Sequence, residues 1–335
     1  MMIKFVLKVI SRLLGYVCTA ITLIPFFIGV GTFSDFLQKL NLSAGQFAVA
    51  LFLIFVLISV ICLIQYINDS RQAADCGTEF SNFEESLLAA VYDMRKKNAG
   101  TPDYSSHAAF YEYAKLKCEK LCGHIVGFLK AKYGKDFSVC IKMIDKKSLE
   151  KVKNSGNIGD AEVYTFCRGG RTHSNREMSE KNRAIKCKKA ERFCVPVSEN
   201  SDFHNILRND AGYETISEFA CSNLRMNEIV SVILKQPKYR NSTPEYWKHY
   251  RSAVVVPIRV EKCYINLDED DEKLEDVYQT VGFLCVDYQK PISGAMIGEM
   301  KGYIKGFGES LYALFHEIGI MDRRITQQNR HKQKA

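Results

Sequence analysis

Between Leu13 and Phe33 the sequence has no charged residue, and between Gln46 and Ile67 it has none again. Gaps of that length exclude two ordinary solvent-facing helices. At 1.5 Å of rise per residue, about 20 apolar residues match the ~30 Å hydrocarbon core of a bilayer. The expectation is a transmembrane helical hairpin within residues 1–67, with spans at about 13–33 and 46–67. Pro25 and Gly15, Gly29 and Gly31 interrupt the first span. Bundled spans tolerate such residues because neighbours re-satisfy the freed backbone groups. Lys4, Lys8 and Arg12 resemble the basic start of a signal peptide. The apolar run outlasts the roughly 7–15 residues of such a peptide, however, and no A-x-A-like cleavage site follows before the second run.

Other absences narrow the function. No Cys-x2-Cys pair occurs among the 12 cysteines, which argues against a structural zinc site. Their spacing shows no disulfide framework, so free thiols in a reducing compartment are expected. There is no Walker A run, no G-x-S-x-G, no H-E-x-x-H and no paired His/Asp metal set. No catalytic role is expected, and no cofactor is assigned. Three positive residues precede the first span, whereas the link from Ser34 to Gly45 carries only Asp35 and Lys39. The positive-inside rule then places the N-terminus and everything after Ile67 in the cytoplasm, making this a multi-pass protein of the inner membrane.

Beyond the spans, Ala73, Cys76, Phe80, Phe83, Leu87, Ala90 and Met94 recur at alternating spacings of three and four. Residues 68–104 therefore read as a linker or signalling helix with a heptad-like seam. A second helix presents Tyr111, Ala114, Cys118, Leu121, Ile125 and Phe128 on one face and ends near Gly134. Then the period changes to two. Phe137 to Met143 reads as a half-buried strand, a polar stretch from Lys146 to Gly159 as a connection, and Glu162 to Cys167 as a second strand. Two late strands follow, one carrying Val254, Val256, Ile258 and Val260 on one face, the other spanning Val281 to Asp287. A closing helix carries Ile297, Met300, Ile304, Phe307, Leu311, Leu314 and Ile318. Residues 321–335 are basic and read as a disordered tail. Strands joined without crossover helices predict an α+β fold, an antiparallel sheet flanked by helices.

Tyr250-Arg-Ser-Ala-Val-Val-Val-Pro-Ile258 followed by Val281-Gly-Phe-Leu-Cys-Val-Asp287 resembles the late strand pair of GAF domains. The resemblance spans residues 105–320 and implies a GAF-like sensor that binds a small molecule or a partner. It supplies no ligand identity. PAS-like sensory domains are the nearest confusable fold.

Candidate binding residues follow from chemistry and from that resemblance. Arg168 to Arg192 holds nine Lys/Arg against three acids and opens with Arg168-Gly-Gly-Arg171, whose glycines let backbone N–H groups approach an anion. Phosphate, a nucleotide or anionic headgroups would suit it; a solvated loop is the plainer reading, and scarce aromatics argue against nucleic acid. Asp202 and Phe203 offer a polar-plus-aromatic contact, or Asp202 simply caps a helix. Arg251 and Ser252 open a strand and point into the same cleft or to solvent. Tyr164 and Phe166 share one strand face and line a pocket or the core. The acidic stretch Asn266 to Asp276 lacks calcium-loop spacing. The two seams, 73–94 and 297–318, provide a homodimer interface or pack on the chain's own sheet. Two functional classes stay open. One is a membrane-anchored sensor, of small and possibly nucleotide-like molecules, that signals to its spans as a membrane-perturbing defence effector. The other is a membrane-anchored protein-interaction scaffold.

Overall fold

A computed structural model describes residues 44–99, 107–169, 194–210, 218–235, 239–242, 246–261 and 278–334. The first expected span, Arg171 and the acidic stretch lie outside the described residues. The chain divides into two compact units, Met1–Ala74 and Asp75–Ala335.

Helix α1 runs unbroken over Ala44–Ala99, so the second expected span and the linker helix are one element. Its part in the first unit is the apolar one. From Phe52 on it is long and apolar enough to cross a membrane, with a mean hydropathy of 2.1 in its most apolar window, none of which is buried. Phe52, Leu53, Leu57, Leu63 and Ile64 all stand exposed.

The second unit is an α+β domain built on one antiparallel sheet. Its strands are β1 (Ser138–Ile144), β2 (Glu162–Gly169), β3 (Val195–Pro196), β4 (Phe219–Cys221), β5 (Ser252–Glu261) and β6 (Tyr278–Tyr288). They lie in the order β3-β2-β1-β6-β5-β4. The two stretches that resemble GAF domains are thus paired neighbours, with Val254 opposite Val286 and Val256 opposite Leu284.

One face of the sheet carries the long helices. These are the end of α1, α2 (His107–Tyr133), α6 (Gly294–Ser310) and α7 (Tyr312–Lys334). Val139, Ile141, Val254, Val256, Ile258, Leu284 and Val286 on the sheet meet Phe83, Leu87, Ala90 and Met94 of α1 in one core. Met300, Ile304, Phe307, Leu311, Leu314 and Ile318 of α6 and α7 complete it. From Phe83 to Met94 the first seam faces the chain's own core, while Ala73 and Phe80 at its start are exposed; the second seam faces the core throughout. Phe307 is where they meet, its ring edge-on to Phe83 at 4.7 Å and to Phe128 at 5.4 Å. Gly169 lets β2 press against α2, since a Cβ there would overlap the Cys122 backbone.

Several expectations are corrected. β1 is not half-buried, because Cys140 on its other face is covered as well as Val139 and Ile141. The polar stretch after it contains helix α3 (Lys146–Ser155). Asp145 caps its start, accepting from the Ser148 N–H, and Gly156 at φ 67° closes its end. The closing helix is two, joined at Leu311. The tail expected to be disordered is helical to Lys334, and Met321, Asp322 and Ile325 are buried. Asp322 accepts from the Tyr111 hydroxyl at 3.0 Å and pairs with Lys146. One turn earlier, buried Glu317 accepts from Arg95 Nε at 2.7 Å and Asn98 Nδ2 at 2.9 Å, tying α7 to the end of α1.

Candidate functional site

The opposite face of the sheet has a different chemistry. Side chains alternate along each strand, so the pairing Cys140–Cys285, Cys140–Arg168, Lys142–Thr165, Lys142–Phe283 and Ala253–Asp287 puts these residues on one face. A bulge in the β1–β2 pairing after Ile141 keeps Arg168 on this side while Phe166 turns to the other.

Helix α4 (Ser201–Asp210) lies over this face and supplies Asp202 and Phe203. Phe203 packs on Phe283, ring centroids 4.6 Å apart, in a small core with Cys140, Val255, Ile206 and Cys285. The Lys142 ammonium stands 5.6 Å from the Phe203 ring centre. Arg168 reaches back to Thr165, its guanidinium 3.5 Å from Oγ1.

Both acids of the group are buried, Asp202 at 4 % exposure and Asp287 at 8 %. One carboxylate oxygen of Asp202 accepts the Phe203 N–H at 2.9 Å and the other the Tyr239 hydroxyl at 3.0 Å. Tyr239 in turn accepts from Asn241 Nδ2 at 3.3 Å. Burial pushes the Asp202 carboxyl up from 3.8 to about 6; the two hydrogen bonds and Lys142 hold it down, and the Asp287 carboxylate adds to the rise. Burial first, and then the Asp202 carboxylate, push Tyr239 well above the ordinary phenol range. The Cys140 thiol is drawn below its ordinary value by its neighbour Cys285 first, then by Arg168 and Lys142, against the opposing effect of burial. Two cations, two acids, a thiol pair and an aromatic pair thus converge over strands β1, β2 and β6.

The expected site residues do not form one cluster. Arg168, Asp202 and Phe203 share this face. Tyr164 and Phe166 belong to the helix-side core, with Phe166 edge-on to Phe315 at 6.4 Å. Ser252 is buried, its hydroxyl 2.7 Å and 2.8 Å from the carbonyls of Ser222 and Lys290, which share its proton. Arg251 uses its main chain to hold Tyr288 and Leu224, at 2.8 Å and 2.7 Å. Arg171 is outside the described residues. Sequence reasoning missed Lys142, Tyr239 and the Cys140–Cys285 pair. The last was within reach, because aligning the two strands through Ile141 and Leu284 sets the two cysteines opposite each other.

A cavity of about 300 Å³ lies elsewhere, between β5 and the α6–α7 junction, walled by Val256, Pro257, Arg259, Lys305 and Tyr312. None of the expected site residues lines it. Among the described residues the nine cysteines are free thiols, and no cluster of three or more His, Cys, Asp or Glu could hold a metal.

No family model matches this chain, and no curated protein does. Among solved structures, the GAF domain of A. aeolicus nlh2, crystallised in an inactive state, is similar over 70 % of this chain and 97 % of that one, at 12 % identity and a TM-score of 0.32.

Proposed function

We propose that this chain is a membrane-anchored, GAF-like sensor. In this reading its cytoplasmic domain binds a small molecule, with nucleotide-like compounds the first class to test, on the sheet face opposite the long helices. The observation that carries the reading is the gathering of Lys142, Arg168, Asp202 and Asp287 around Phe203 and Phe283. Charged groups set into a covered face cost stability unless they are paired and hydrogen-bonded, and a cluster of perturbed groups is a functional-site candidate. The long apolar run of α1 supports the anchor. An unbroken α1, with Arg95 and Asn98 near its end held by Glu317, supports passage of the ligand state toward the apolar run. The output is then a change in the membrane segment itself, as expected of a membrane-perturbing effector. A homodimer through α1 would use its outward residues, Leu88 and Tyr92, because the seam faces the core. No catalysis is assigned.

The test is a melting screen of the full chain in lipid nanodiscs against cyclic and linear nucleotides and common metabolites. A ligand at 100 times its Kd raises stability by about 2.7 kcal/mol. A hit that is lost in Arg168→Ala and Asp202→Asn supports the site. It also names the compound to add in vesicle-leakage assays. A blank with well-folded protein favours the scaffold alternative, for which exposed Leu88, Tyr92 and Leu116 offer a protein-binding surface.

A further inference from the structure

Helix α5 (Leu224–Ile233) faces the opposite way from a helix on a water-facing surface. Such a helix buries its apolar stripe and shows its polar one. At its start α5 is anchored by buried Leu224, and beyond it polar residues line the inward side. Ser231 is buried and donates to the Asn227 carbonyl at 2.8 Å, and Asn227 Nδ2 reaches Cys221 Sγ at 3.6 Å. Glu228 accepts the Tyr246 hydroxyl at 3.3 Å. The apolar stripe points outward: Met226, Ile229, Val230, Ile233 and Leu234 fall at i, i+3, i+4, i+7 and i+8. Their exposures are 51, 45, 41, 72 and 58 %. Exposed Arg225 and Lys235 stand at the two ends.

We infer that α5 is an interfacial helix whose apolar stripe enters the surface of an anionic bilayer, with Arg225 and Lys235 on the headgroups. The inference rests on the reading that α1 anchors the chain in a membrane. Three observations select the bilayer as occupant. The apolar run of α1 on the same chain keeps a bilayer at high effective concentration. The two cations complement anionic headgroups. A one-sided apolar stripe flanked by Lys and Arg is the composition of a helix that lies in the membrane plane.

The test uses the full chain reconstituted in phosphatidylglycerol-containing vesicles whose lipids carry bromine high in the acyl chain. Trp247, the single tryptophan, is first replaced by Phe. Ile233→Trp then reports on α5, and Ile64→Trp, exposed near the end of the apolar run and so level with the bromines, reports on α1, in separate proteins. A helix buried about 5–10 Å into the headgroup–acyl boundary brings the α5 reporter within reach of the bromines. Both reporters should lose most of their emission, and Arg225→Glu with Lys235→Glu should restore it for α5 alone. Quenching of the α1 reporter with an unquenched α5 reporter overturns the inference and leaves the anchor standing. If that unquenched emission is also blue-shifted, a protein surface such as a second copy covers the stripe instead. If neither reporter is quenched, the anchor and the inference fall together. Ile233 is among the most exposed apolar residues, so its replacement leaves the core intact.

Discussion

Asp202 is the residue whose perturbation reports most directly on the polar face. Its carboxyl titrates at 3.8 in an ordinary setting and at about 6 in the fold, and burial is the main cause. The folded chain therefore holds the proton more tightly than the unfolded chain does. Stabilisation by protonation is complete below the unfolded value of 3.8 and is lost as pH rises through about 6. Above that, the ionised carboxylate costs the fold about 3 kcal/mol, at ~1.4 kcal/mol for each pH unit between the two values. Asp202→Asn keeps an oxygen for Tyr239 or the Phe203 N–H and removes the charge. At ~2–4 °C per kcal/mol, the variant should melt roughly 6–12 °C above the wild type near pH 7.5. Lys142 and Asp287, which also act on Asp202, stay in both proteins, and so do all other carboxylates. The difference between the two pH profiles thus isolates the one group. The gap should close between about pH 6 and 4, following the two titration values. Melting of the full chain in nanodiscs, followed by near-ultraviolet circular dichroism, measures it. A wild type that melts as high as the variant near neutral pH would refute the reasoning, as would a gap unchanged down to pH ~4.

Phe307→Ala removes the ring that joins both seams, buried at 3 % exposure, and should lower stability by ~3–5 kcal/mol in the same melting assay. Gly169→Ala forces a Cβ into the Cys122 backbone, which rigid helix and strand cannot yield; a loss of at least ~2 kcal/mol is expected, with an unchanged melt counting against the close approach. Glu317→Ala leaves Arg95 and Asn98 without their carboxylate and should cost about 1.5–3 kcal/mol. Hydrogen exchange should then speed up at the end of α1 and in α7 before it changes in β1 and β6.

The fold was legible where one residue pattern had one physical reading. β5 and β6 were found from period-two alternation, and α2 from period 3.6 with a stop at Gly134, which takes φ 64°. Elements held by caps or by tertiary contacts were not. α3 has few apolar positions, so its signal lay in Asp145 and Gly156 rather than in periodicity. β3 and β4, with two and three residues, are too short to show any period. The tail looked disordered because it is basic, yet Met321 and Ile325 continue the α7 seam into the core. The site was half legible. Asp202, Phe203 and Arg168 announced their chemistry, but the side taken by Tyr164 and Phe166 depends on sheet register, which a single strand does not encode.

The two faces of the sheet show why the candidate site lies where it does. The same strands send Val139, Ile141, Leu284 and Val286 toward the helices and Cys140, Lys142, Cys285 and Asp287 away from them. On the helix side the sheet meets the helices through a continuous apolar core, and that face supplies most of the driving force for folding. The other face has a smaller apolar core with charged residues set beside it. Lys142 between Cys140 and Ile144, Arg168 opposite Cys140, and a carboxylate under α4 all oppose the preference of a covered strand. A fold needing only stability would place valines there, as it does on the helix side. Local rules fail in a group, on one face, around one aromatic pair, and such grouped exceptions mark function more often than accident. If the charges served stability, replacing Asp202 would weaken the domain. If they oppose it, as the raised Asp202 carboxyl indicates, the replacement should strengthen the domain near neutral pH while removing what a ligand would hold.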